Sequence, residues 1–154
     1  MKKTAKLLIL GLLFISASAF AGKELWLTDF KKAQKTAKAQ SKVMLINFTG
    51  SDWCPWCVKL EKEVFSTAVF KKFAKKNLVL LKVDFPRGKK QSSKLRAQNK
   101  KLAAKFKINA FPTILLLSSD TKKIIGKTGY KRGGAEKYVV HLKKLLKKNK
   151  TGRK

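Results

Sequence analysis

The residues Val43, Met44, Leu45, Ile46, Asn47 and Phe48 run almost without a polar break into Thr49-Gly50-Ser51-Asp52, and Trp53-Cys54-Pro55-Trp56-Cys57 follows at once. An apolar run this short and without alternation is the pattern of a strand covered on both faces, so it is expected to be the central strand of a sheet flanked by helices. Gly, Ser and Asp then turn the chain. From Cys54 to Glu63 the spacing becomes helical, with Cys57, Leu60, Glu61 and Val64 near one face. Both cysteines of the chain therefore stand at one strand-to-helix junction. A loop this small restricts the unfolded chain too little to act as a staple, so the pair reads as chemistry.

The remaining elements follow from periodicity and caps. Thr28 is expected to cap a helix with Phe30, Ala33, Ala37 and Gln34 on its inner stripe, and Ser66 a short helix carrying Val69, Phe70 and Phe73. Leu78 to Val83 reads as a second buried strand and Asp84 to Lys90 as a loop. A polar helix over Ser92 to Phe106 turns Leu95, Leu102, Ala103 and Phe106 inward. Thr113 to Leu117 reads as a third strand and Lys123 to Lys127 as a fourth, with a turn between them. A closing helix spans Gly133 to Lys148 through Tyr138, Val139, Leu142, Leu145 and Leu146. The order is β-α-β followed by β-β-α, which predicts an α/β thioredoxin fold: a central mixed sheet of about four to five strands flanked by helices.

At a helix start, unpaired backbone N–H groups and the helix dipole favour a thiolate. Cys54 is accordingly the expected nucleophile, with its acidity raised from the ~8.5 of free cysteine into the range of roughly 3.5 to 7.5 seen at such sites. Cys57, one turn further in, is expected to be the more buried and more protonated thiol and to resolve the mixed disulfide formed at Cys54. Pro55 suits the first helical turn, where its missing N–H costs nothing. Trp53 and Trp56 can wall off the Cys54 sulfur, offer a flat apolar surface to a partner, or simply pack.

No other cofactor chemistry fits. A zinc site needs about four ligands, and the chain has one cysteine pair and the lone His141, read as a surface or half-buried helix residue. Val58 stands where a c-type haem motif requires His. The expected redox centre is the Cys54–Cys57 pair alone, with no metal.

Met1 to Lys6 form a basic head, Leu7 to Ile15 an apolar core too short to span a bilayer, and Ala19-Phe20-Ala21 a small-x-small end. This is the order of an export signal. Cleavage is expected after Ala21, leaving one thioredoxin-like domain over 22–148 and a disordered basic tail over 149–154 in a periplasmic or secreted protein. The whole chain carries 38 Lys plus Arg against 8 Asp plus Glu, a net +30, and loss of Lys2, Lys3 and Lys6 leaves +27. Such a charge draws anionic surfaces and reads equally well as a solvated Lys-rich exterior. Only Arg87, Arg96, Arg132 and Arg153 are arginines. Lysine lacks the planar fork that reads bases, so sequence-specific nucleic-acid recognition is not expected.

The run Phe48 to Cys57, followed by Glu63, Val64 and Phe65, resembles the exported bacterial thioredoxin-like proteins with a Gly-Ser-Asp-Trp-Cys-x-Trp-Cys active site. Asp84-Phe85-Pro86, Ala97-Gln98-Asn99, Phe111-Pro112-Thr113 and Thr128-Gly129-Tyr130 are similar to that family too, so the resemblance covers nearly the whole mature chain. It implies the thioredoxin fold with thiol-disulfide oxidoreductase activity; the expected partners are protein thiols or disulfides and a further redox partner, and the expected state is a monomer. It also implies that Pro112 is a cis-proline facing the active-site disulfide, with Phe111 before it. Asn47 takes the place of the buried Asp that ordinary thioredoxins set beneath the resolving cysteine, so a proton from Cys57 must pass to water, to Asp52 or to Glu61. Pro-Trp between the cysteines matches neither the Gly-Pro of typical thioredoxins nor the Pro-His of strong oxidants, and the expected direction is that of a reductase or isomerase. The competing reading is a Lys-rich module that binds lipopolysaccharide, lipid or nucleic acid and makes no use of its cysteines.

Overall fold

A computed structural model describes residues 25–151, with side chains from Leu25 to Lys147. The expected leader and cleavage site lie outside the described residues. The chain runs β1 (Trp26–Leu27), α1 (Phe30–Ala39), β2 (Val43–Thr49), α2 (Pro55–Leu60), a single π-helical turn (Glu61–Phe65), α3 (Ala68–Asn77), β3 (Leu78–Asp84), α4 (Ser93–Lys105), β4 (Thr113–Leu117), β5 (Ile124–Thr128) and α5 (Gly134–Thr151). Among the described residues no helix is long and apolar enough to cross a membrane.

The strands form one mixed sheet in the order β1-β3-β2-β4-β5, with the run Val43–Thr49 at its centre as the patterning requires. Strands β1, β3 and β2 are parallel, whereas β4 is antiparallel to both β2 and β5. Alternation splits each central strand between two cores. Met44, Ile46 and Phe48 of β2, with Val79, Leu81 and Val83 of β3, pack under α1 and α4 beside Ala33, Ala37 and Leu102. Leu45, Leu80, Ile114 and Leu116 pack under α2, α3 and α5 with Leu60, Val64, Phe70, Tyr138 and Leu142. The fold is the expected three-layer α/β thioredoxin fold with five strands.

Several boundaries differ from the sequence reading. Asp29, not Thr28, caps α1, its carboxylate accepting from the Lys32 N–H at 2.8 Å. Thr67, not Ser66, caps α3 by accepting from the Phe70 N–H. The π turn is the cause of the second shift. Its wider ring adds a residue before the next helix, and the Ser66 N–H is used to close it on the Glu61 carbonyl. Helix α2 consequently ends at Leu60, and Glu61 to Glu63 belong to the π turn. The two-residue strand β1 is too short to show a period and went unforeseen. At the far end α5 continues to Thr151, into the stretch expected to be a disordered tail, because no helix breaker occurs before Gly152.

Candidate active site

Strand β2 delivers the chain to Gly50, whose carbonyl accepts from the N–H groups of Trp53 at 3.3 Å and Cys54 at 3.0 Å. A Cβ at Gly50 would run into the Trp53 indole, so only glycine lets the turn fold this tightly. Cys54 caps α2 in extended backbone: its carbonyl accepts from Cys57 and Val58, and its Sγ accepts from the Cys57 N–H at 3.3 Å. Pro55 occupies the first turn, as expected. Cys54 and Cys57 are joined in a disulfide with their Cα atoms 5.2 Å apart. Both are 4% exposed, so Cys57 is not the more buried of the two here.

The two tryptophans do different things. Trp53 is held in place: its Nε1–H donates to the Phe85 carbonyl at 2.7 Å, its ring meets Phe111 edge-on at 5.8 Å, and Phe111 rests on Phe85 at 5.3 Å. The Phe111–Pro112 peptide is cis, as the resemblance implied, and it brings the start of β4 to this aromatic cluster. Trp56 is 48% exposed, as is Val58. The Trp56 ring leans on Tyr130 at 5.2 Å, and the Tyr130 hydroxyl donates to Glu63 at 2.7 Å, a bond that raises the phenol pKa. Trp56 is thus backed by a partner yet half open to solvent.

On the α2 face, the active-site end of the sheet turns polar. Asn47 and Lys82 face each other across β2 and β3, and Thr49 and Asp84 do so one pair further on. A groove of about 320 Å³ opens there, lined by Cys57, Thr49, Ser51, Glu61 and Lys82 among others. Glu61 lies 3.8 Å from the Lys82 ammonium and accepts from the Ser66 hydroxyl at 3.0 Å. Asn47 is buried, and its Oδ1 has no hydrogen-bond partner. Asp52 is elsewhere. Its carboxylate accepts from the N–H groups of Arg87 and Gly88, which hold its pKa below the ordinary value despite some desolvation. Of Asn47, Asp52 and Glu61, only Glu61 lines the groove on which Cys57 opens.

Sequence reasoning passed over Lys82, Tyr130 and Asn99. Lys82 sat inside an apolar run with nothing to mark its partner. Asn99 is buried and donates to the Asp84 carbonyl at 2.9 Å, which ties α4 to the end of β3; its only sign was the Ala97-Gln98-Asn99 motif. Among the described residues no group of three or more His, Cys, Asp or Glu is placed to hold a metal ion.

A disulfide at the start of the helix that follows the central strand, with a cis-proline at the head of the antiparallel strand that pairs with that central strand, defines a thiol-disulfide oxidoreductase of the thioredoxin class. Residues 30–145 match the thioredoxin-like domain family, and the chain belongs to it. It is 33% identical over 119 residues to the disulfide bond reductase DsbH of Chlamydia pneumoniae, covering 77% of this chain and 71% of that protein. It is also 33% identical over 129 residues to the thioredoxin-related protein DsbJ of the same organism, of which it covers only 37%. The solved structure of a DsbH oxidoreductase superposes with a TM-score of 0.75 at 33% identity, covering 79% of this chain and 83% of that one.

Proposed function

We propose that the chain is an exported reductase of protein disulfides, with Cys54 as nucleophile and Cys57 as resolving thiol. The observation that carries this reading is the position of Cys54, whose sulfur accepts from the Cys57 N–H at a helix start. In the dithiol state the same N–H stabilises the Cys54 thiolate. The thiolate attacks one sulfur of a substrate disulfide and expels the other as a thiolate. Cys57, losing its proton, then attacks Cys54, releases the second substrate thiol and closes the Cys54–Cys57 disulfide. Two electrons pass to the substrate, the proton lost by Cys57 enters the water of the groove and the substrate thiolates are protonated from solvent, and a dithiol redox partner restores the pair. The cis-proline exposes backbone with which an extended substrate pairs, and Trp56 and Val58 give it an apolar seat.

Glu61 is the residue that takes the Cys57 proton, through water in the groove the two share, in place of the strand carboxylate that Asn47 replaces. The name of the DsbH relative supports the reducing direction, and the basic-apolar-small order of residues 1–21 supports export to the periplasm or beyond. The redox potential against glutathione tests the reading. A value of roughly −200 to −270 mV supports a reductase or isomerase, and one near −120 mV overturns it in favour of an oxidant. Insulin reduction by wild type but not by Cys54→Ala is expected. Equal inertness of the two would move the Lys-rich binding module ahead.

A further inference from the structure

In a chain whose cations are overwhelmingly lysines, two of the three arginines among the described residues share one groove beside Trp53, the residue before Cys54. The Arg87 guanidinium lies over the Trp53 ring, 4.2 Å from its centroid. Arg96 shares with Arg87 a groove of about 480 Å³ that also takes in Lys89, Lys90 and Lys100, and no acidic side chain lines it. Unlike Lys59 with Glu63 and Lys82 with Glu61, Arg87 and Arg96 form no ion pair among the described residues.

Positive charge alone does not single out this groove. At the opposite end of the sheet a groove of about 520 Å³ gathers Lys42, Lys76, Lys143 and Lys147, again with no acidic lining, but it contains no arginine. The difference is chemical. Lysine is a hydrated point charge, whereas the guanidinium presents paired donors that match a carboxylate in two parallel hydrogen bonds. Arg87 is also held in place, its N–H on Asp52 and its side chain on Trp53, so less side-chain freedom is lost when it binds. Because Trp53 immediately precedes Cys54 and packs on Phe111, a chain seated on Arg87 lies beside the sulfur.

We infer that the Arg87–Arg96 groove is a docking site for an Asp/Glu-bearing segment of the substrate polypeptide, adjoining the disulfide to be reduced. The inference rests on the reductase reading and gives that site a preference for acidic substrates. It is tested with two disulfide peptides identical except that Glu-Glu-Asp beside the cysteine in one is Gln-Gln-Asn in the other. Wild type is expected to favour the acidic peptide by about tenfold in kcat/KM, mainly through KM, with the preference shrinking as salt rises. Arg96→Lys and the double variant R87K/R96K keep the net charge, and the ratio of the two kcat/KM values is expected to fall about threefold and to near unity, respectively. The charge-losing control K76Q/K143Q, in the far groove, keeps the wild-type ratio.

A wild type without preference, a double variant that retains it, or a control that loses it as fully overturns the docking site. If neither peptide is reduced, it is the reductase reading that fails. Binding of a cysteine-free acidic peptide, followed calorimetrically, then still reads the groove: weaker binding by R87K/R96K supports the site, and unchanged binding overturns it. Should R87K/R96K weaken binding to phosphatidylglycerol vesicles but not to the acidic peptide, the groove serves a phosphate-bearing surface and the inference is overturned.

Discussion

The two faces of the central sheet treat their active-site ends differently. Under α1 and α4 the strands stay apolar to the last turn, with Ile46 and Phe48 beside Leu81 and Val83, all fully buried. Under α2 the same strands change over: Leu45 gives way to Asn47 and Thr49, and Leu80 to Lys82 and Asp84. Burial of apolar area stabilises, whereas a buried polar atom without a partner costs free energy. The α2 face accepts that cost only where Cys57 opens on a groove. One face holds the sheet together, and the other gives up packing at one end to make room for proton and electron transfer.

The largest effect that would break this contrast is expected at Phe48, which is fully buried and meets Phe106 edge-on at 6.1 Å. Phe48→Ala should lower unfolding free energy by about 3–5 kcal/mol in denaturant titration; a loss no greater than that of Thr49→Ala would show the faces to be alike. On the polar face Glu61→Gln is expected to slow the Cys57 resolving step by about tenfold or more in stopped-flow fluorescence, with the Cys54 attack unchanged. Added imidazole or the second change Asn47→Asp should restore the rate, and a slowing that neither restores would remove Glu61 from proton transfer.

Smaller effects sharpen the comparison further. Asn47→Leu replaces a buried atom that has no partner, so stability should rise by about 1 kcal/mol in thermal or chemical unfolding; a loss instead would mean that Asn47 supports the fold. The smallest effect is expected at exposed Asp52, whose folded pKa is depressed chiefly by the Arg87 N–H. Its contribution is present above the unfolded carboxylate value and is lost as pH falls through the lower folded one. Asp52→Asn should therefore flatten the acid limb of the melting temperature below the ordinary carboxylate range while changing little at neutral pH.

Much of the fold was legible because it depends on local pattern. The unbroken apolar run of β2 could only be a covered strand, and helical spacing after Cys54 could only place the pair at a helix start. Strand β4 and the helical stripes of α4 and α5 were read the same way. What escaped depends on hydrogen bonds that residue types do not specify in advance. Thr28 and Asp29 are both good caps, as are Ser66 and Thr67, and the π turn that chose between the second pair is set by packing of Val64 and Phe65 into the core.

The site divides along the same line. The amino-acid order by itself determined the redox pair, its place at the end of a central strand and the proline before β4, because each is a matter of residue type at a local junction. Only the tertiary structure decided which carboxylate shares a groove with Cys57, that Lys82 stands opposite Asn47, that Trp53 is fixed while Trp56 is open, and that Arg87 and Arg96 share a groove. Those are contacts between segments far apart in the chain, and their distances are set by how the strands and helices pack.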